Sequence, residues 1–121
     1  MFTLIEGLPP YAVGVVASGT ITAGDYKDVL EPALNKALAE WKGVNLLFVL
    51  QADIKDFTLG AWVQDIRVNT RYFLKWNKLA MVDHHSVLTK ITSAFDVIAP
   101  GEARSFTQAQ LEEAKAWVSL P

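Results

Sequence analysis

At 121 residues, 51% hydrophobic and 20% charged, the chain has the size of one domain and enough apolar material for one core, which argues against disorder. Eleven basic residues against thirteen acidic leave a formal net charge of −2, without the overall basicity needed to grip nucleic-acid phosphates. The absence of cysteine removes disulfides, thiolate metal sites and thiol nucleophiles together, and suits a reducing cytoplasm.

Met1 to Gly7 lacks the basic start and long apolar core of a signal peptide, and no uninterrupted apolar run approaches the roughly 20 residues of a membrane span. Phe2 to Ile5 and Tyr11 to Ala17 are short β-branched-rich runs separated by Glu6-Gly-Leu-Pro-Pro10, a turn signal, so the chain opens on a hairpin. Thr22 stands three residues before Asp25 in a cap-like arrangement, and apolar residues follow at 26, 29, 30, 33, 34, 37, 38 and 41. That spacing predicts one long amphipathic helix, kinked at Pro32 or restarting at Glu31-Pro32 and stopped by Gly43.

Val44 to Leu50 is an apolar run long enough to be a strand buried on both faces, and it belongs in the middle of a sheet. After the polar loop Gln51 to Asp56, Thr58 N-caps a second helix, with a staple between Phe57 and Trp62. Leu59, Trp62, Val63, Ile66, Phe73 and Leu74 are expected to form its buried face. Leu79 to Val82 reads as a parallel strand, and Ser86 caps a third helix with apolar positions Val87, Ile91, Ala94, Phe95 and Ile98. Ala99-Pro100-Gly101 ends that segment, and Ala103 to Phe106 is a brief strand. Thr107 to Gln110 is a capping box with a staple from Phe106 to Leu111, and a last helix buries Leu111, Ala114, Trp117 and Val118.

The order β-β-α-β-α-β-α-β-α predicts one α/β domain over residues 1–121, with a mainly parallel, mixed sheet of about five strands and four helices. Read in this order, Ile21-Thr-Ala-Gly-Asp-Tyr26, Val29-Leu-Glu-Pro-Ala-Leu34, Leu79-Ala-Met-Val82, Ala103-Arg-Ser-Phe106 and Leu111 to Trp117 resemble the SpoIIAA-like branch of the STAS superfamily. That superfamily domain is shared by sulfate transporters and anti-sigma-factor antagonists and is similar in fold to SEC14-type lipid-binding domains. The resemblance covers nearly the whole chain and implies a small non-enzymatic regulatory module, with Pro32 a family feature.

The resemblance also points to the start of the second helix. Anti-sigma antagonists carry an Asp-Ser-Ser/Thr-Gly motif there, whose hydroxyl is phosphorylated by a kinase partner. Asp56-Phe-Thr58-Leu-Gly60 is the nearest match, with Phe57 in place of a hydroxyl residue, so Asp56, Thr58 and Gly60 are the partner or phospho-site candidates. A phosphate at a helix N-terminus is favoured by the free amides and the dipole.

The crevice beyond the carboxyl ends of the strands is the expected binding region of an open α/β sheet. Asp53, Asp56, His84 and His85 lie there, but two carboxylates and two adjacent, diverging imidazoles make neither a ligand set nor a catalytic set. No Gly-rich phosphate loop, nucleophile elbow or His-Glu-x-x-His motif is present, so neither a cofactor nor an enzyme activity is expected. Arg67, Arg71 and Lys75 recur every four residues, with Lys78 just beyond; Val68, Tyr72 and Trp76 put apolar material beside them, and the Trp62 and Tyr72 region is open to apolar contact. Trp62, Arg67, Arg71, Tyr72 and Lys75 are therefore the candidates for an apolar or anionic ligand.

Two functions follow as expectations. The first is a protein-binding module acting through the 51–60 loop and the second helix. The second is a carrier of lipid or another apolar small molecule, peripheral to a membrane. A homodimer is the default assembly.

Overall fold

The computed structural model describes residues 1–83 and 101–121 of the chain. The expected helix from Ser86 to Ile98 lies outside the described residues. Within them, β1 (Phe2–Leu4) pairs antiparallel with β2 (Ala12–Ala17), and β3 (Val44–Leu50), β4 (Trp76–Val82) and β5 (Glu102–Phe106) follow in parallel. The spatial order β1-β2-β3-β4-β5 is the sequence order. β3 is thus the central strand, and all seven of its residues are buried.

Alternation along β3 divides the core. Leu46, Phe48 and Leu50 face one side of the sheet, together with Tyr26, Leu30 and Leu34 of the first helix and Ala61, Val68 and Tyr72 of the second helical region. Leu47 and Val49 face the other side, where Ala80, Val82, Ala114, Trp117 and Val118 close a second cluster. Successive parallel crossovers in one direction place their helices on the same face, so the C-terminal helix is left to cover the other.

The first helix, α1, has two parts. Asp25–Leu30 is wound as a π-helix, in which Glu31 N–H donates to Tyr26 O five residues back, and Glu31–Leu38 continues as an α-helix with Pro32 in its first turn. Pro32 has no amide hydrogen, so the change of winding falls where an α-helical bond would be lost anyway. Ahead of it, the Asp25 carboxylate accepts from the amide and the hydroxyl of Thr22.

Helix α2 (Leu59–Arg71) begins as the sequence predicts, with the Thr58 side chain accepting from Ala61 N–H and Phe57 stacked on Trp62 at 4.8 Å. A capping box, with both reciprocal bonds formed, joins Thr107 and Gln110 ahead of α3 (Leu111–Ser119), which buries Ala114, Trp117 and Val118. Gly101 is required by close approach: a Cβ there would lie 2.5 Å from Trp76 O and 2.8 Å from Asn77 O. A larger residue would push β5 off the start of β4.

The rotation of α2 differs from the sequence expectation. The expected inward residues Leu59, Val63, Ile66 and Leu74 are 80%, 55%, 66% and 80% exposed, whereas Ala61, Gln64 and Val68 are buried. The large side chains Leu46, Phe48 and Leu50 already fill the sheet surface beneath. The inner face of α2 therefore takes smaller groups, and its larger aliphatic residues stand outward.

Candidate functional site

The loop after β3 is held by backbone bonds. Gln51 and Ala52 N–H both donate to Ala17 O, and a single 3-10 turn spans Ile54–Asp56. The Asp56 carboxylate accepts from Asp53 N–H at 2.9 Å, so it closes the turn. Ile21 N–H donates to Asp56 O and Thr58 N–H donates to Ile21 O, each at 2.9 Å, which ties the start of α2 to the segment after β2. Thr58 and Gly60 are exposed at this edge. Among the described residues, no three His, Asp or Glu side chains converge as a metal site. His84 and His85 lie outside those residues.

The ligand candidates on and beyond α2 divide into two sets. Arg67, Arg71 and Lys75 are exposed and Trp62 is half-buried. Arg71 lies 3.5 Å from Glu31 and covers the Tyr72 ring. Tyr72 is turned inward: it is buried, and its hydroxyl donates to Asn35 Oδ1 at 2.6 Å, tying the end of α2 to α1. Lys78 leaves the basic stripe altogether, since its ammonium donates to Trp117 O and Leu120 O on the α3 side of the sheet.

The exposed apolar residues form a surface that the periodicity alone did not reveal. Leu59, Val63 and Ile66 stand at i, i+4 and i+7 on the outward face of α2, with Leu74 just past its end. The exposed residues between Thr58 and Asn77 are apolar, neutral or cationic. Asp65, the only acidic residue between Phe57 and Val82, turns inward to accept from the Tyr26 hydroxyl at 2.8 Å. A shallow depression of about 420 Å³ runs beside the stripe, lined by Asp65, Ile66, Asn69, Thr70 and Phe73.

The architecture and a match over most of the chain together assign the family. A model of the SpoIIAA-like family matches residues 12–119, from the start of β2 to the end of α3. The chain belongs to the SpoIIAA-like family. A crystal structure of an uncharacterized protein from Shewanella loihica PV-4, described as having a SpoIIAA-like fold, superposes on this SpoIIAA-like chain with a TM-score of 0.73 at 20% identity. The match covers 98% of this chain and 92% of the other, and likeness at that identity speaks for the fold alone. No curated protein matches the chain. Among the described residues, no helix of this SpoIIAA-like domain is long and apolar enough to cross a membrane.

Proposed function

We propose that this SpoIIAA-like domain is a non-enzymatic binding module that docks through the outward face of α2 onto an anionic lipid surface. The observation that carries this reading is the exposure of Leu59, Val63, Ile66 and Leu74 along α2 and just past its end, flanked by Arg67, Arg71 and Lys75 with no exposed carboxylate between Thr58 and Asn77. An apolar stripe bordered by cations is the pattern of a helix lying in a membrane interface, where apolar burial and attraction to anionic head groups add. The ridge is convex, and a fluid bilayer accepts it without a complementary groove. A second copy offers the same stretch, Thr58 to Asn77, which holds no exposed carboxylate to answer Arg67 and Lys75.

The test is co-sedimentation with vesicles of phosphatidylcholine alone and with added phosphatidylglycerol. Wild type is expected to pellet with the anionic vesicles, and less so as salt rises. Replacing Leu59, Val63 and Ile66 together by Ser removes several buried side chains at about 1.5–3 kcal/mol each, so bound protein should fall at least tenfold. Wild type that stays in the supernatant, or a triple variant that pellets equally, overturns the reading.

A second reading, a protein-docking switch, draws on the exposed Thr58 at the N-terminus of α2. A phosphate there would meet the free amides of the first turn. Thr58→Glu is expected to change capture of a specific protein from cell extract, while Thr58→Ala, measured by urea unfolding, costs about 1 kcal/mol as the loss of an ordinary cap. Identical capture by wild type and Thr58→Glu removes this reading.

A further inference from the structure

The shallow depression beside the docking stripe differs from the stripe in charge. Its lining is Asp65, Ile66, Asn69, Thr70 and Phe73, so it carries one carboxylate and no cation. It lies on the flank of α2 that meets α1, since Asp65 Oδ1 accepts from the Tyr26 hydroxyl at 2.8 Å. Ile66 belongs to both features: it stands outward in the stripe and lines the depression. A helix that beds the stripe in a bilayer therefore brings the depression to head-group level.

The acceptors of the depression are not fully used. Among the described residues, Asp65 Oδ2 receives only a 3.3 Å bond from Asn69 Nδ2, whose shorter bond, 2.8 Å, goes to Asp65 O one turn back. Asn69 Oδ1 and the Thr70 hydroxyl have no hydrogen-bond partner among those residues. Burial raises the pKa of the Asp65 carboxyl, so its anion gains from a cation placed beside it. The protein supplies none there: Arg67, Arg71 and Lys75 do not line the depression, and Arg71 is held 3.5 Å from Glu31.

Resting on the docking reading, we propose that this depression seats the primary ammonium of an ethanolamine phospholipid in the same membrane surface. An ammonium has N–H donors on three sides, and Asp65 Oδ2, Asn69 Oδ1 and the Thr70 hydroxyl are the acceptors for them, the bond to Asp65 being charge-assisted. The quaternary nitrogen of choline has no N–H to give, and its methyl groups hold it off the carboxylate. A head group that ends in an anion would meet Asp65 with no cation in the depression to answer it. Anionic lipids thus serve the flank of Arg67, Arg71 and Lys75, and ethanolamine lipids serve the flank of Asp65, with the apolar stripe bedded between.

Co-sedimentation with vesicles of phosphatidylglycerol mixed with either phosphatidylethanolamine or phosphatidylcholine, matched in surface charge, tests the assignment. Wild type is expected to bind the ethanolamine mixture about fivefold more tightly, the worth of about one net hydrogen bond. Asp65→Asn should bring that ratio to about one and Thr70→Val to about two, while both variants still pellet with the choline mixture as wild type does. Ethanolamine lipids also loosen head-group packing, but that effect would act on the variants as on wild type, so a preference unchanged in both overturns the seat. Equal binding of the two mixtures by wild type overturns it as well, and leaves the docking surface standing. Wild type that pellets with neither mixture overturns the docking reading and the seat together.

Discussion

The Asp65 carboxylate is the residue whose setting most constrains how α1 and α2 meet. It accepts from the Tyr26 hydroxyl at 2.8 Å and from Asn69 Nδ2 at 3.3 Å. Burial pushes its pKa above the ordinary carboxylate value, and those two hydrogen bonds pull it back only in part. Burial, and then the nearby Asp65 charge, likewise raise the Tyr26 phenol. The unfolded chain therefore releases the Asp65 proton at lower pH than the folded protein does. Folding binds that proton in the window between, so this carboxyl's contribution to stability declines as pH rises from about 4 through the folded-state value. Asp65→Asn keeps an acceptor for Tyr26 and cannot ionise. Its unfolding free energy, measured in urea from pH 4 to 8, should fall less with pH than that of wild type, and at pH 7 it should be at least as stable. Tyr26→Phe should cost about 1–3 kcal/mol at pH 7, because it leaves the buried carboxylate short of a donor. A variant Asp65→Asn with the wild-type pH slope would show that another group sets it.

At the scale of elements, α2 separates what periodicity can say from what it cannot. The start was legible, because Thr58 supplies a cap and Phe57 with Trp62 a staple, both local in sequence, and both are formed. The face was not legible, because α2 has apolar residues on opposite sides. Ala61 and Val68 compete with Leu59, Val63 and Ile66, and choosing between them needs the volume left above Leu46, Phe48 and Leu50. The basic stripe was readable as three spaced cations, yet nothing local indicated that Arg71 would pair with Glu31 of another helix or that Tyr72 would point at Asn35. The outward assignment also carries a stability expectation. The Leu59, Val63 and Ile66 to Ser variant should stay within about 0.5 kcal/mol of wild type per site in urea unfolding, as exposed substitutions do. A loss of several kcal/mol would place those side chains in the core.

For the molecule as a whole, the alternation of runs and helical stripes was enough to give a central β3 and a mainly parallel sheet, since connection rules leave few other arrangements. What it left out is how the far face is locked, and that depends on Asn45, a single polar residue within an otherwise apolar strand. Asn45 is 1% exposed on the side of β3 that faces α3. Its Nδ2 donates to Val118 O at 2.8 Å and to Leu120 O at 3.2 Å, while its Oδ1 accepts from Asn77 Nδ2 at 2.8 Å. One side chain thereby joins the central strand, its neighbour β4 and the last turn of α3. Lys78 adds bonds to Trp117 O and Leu120 O, and the Tyr11 hydroxyl donates to Ser119 O. Carbonyls at a helix end need such partners because no following turn supplies them. Asn45→Leu would keep the apolar character of the run but orphan the Val118 carbonyl inside the protein, at a cost of about 1–3 kcal/mol, to which the crowding of a branched side chain adds. The loss should be local: amide exchange at residues 117–120 should quicken more than at Val13 to Val16 or Leu47 to Leu50. Uniform acceleration across the sheet would mean that Asn45 supports the core generally; unchanged exchange at the end of α3 would mean that Lys78 and Tyr11 hold it without Asn45.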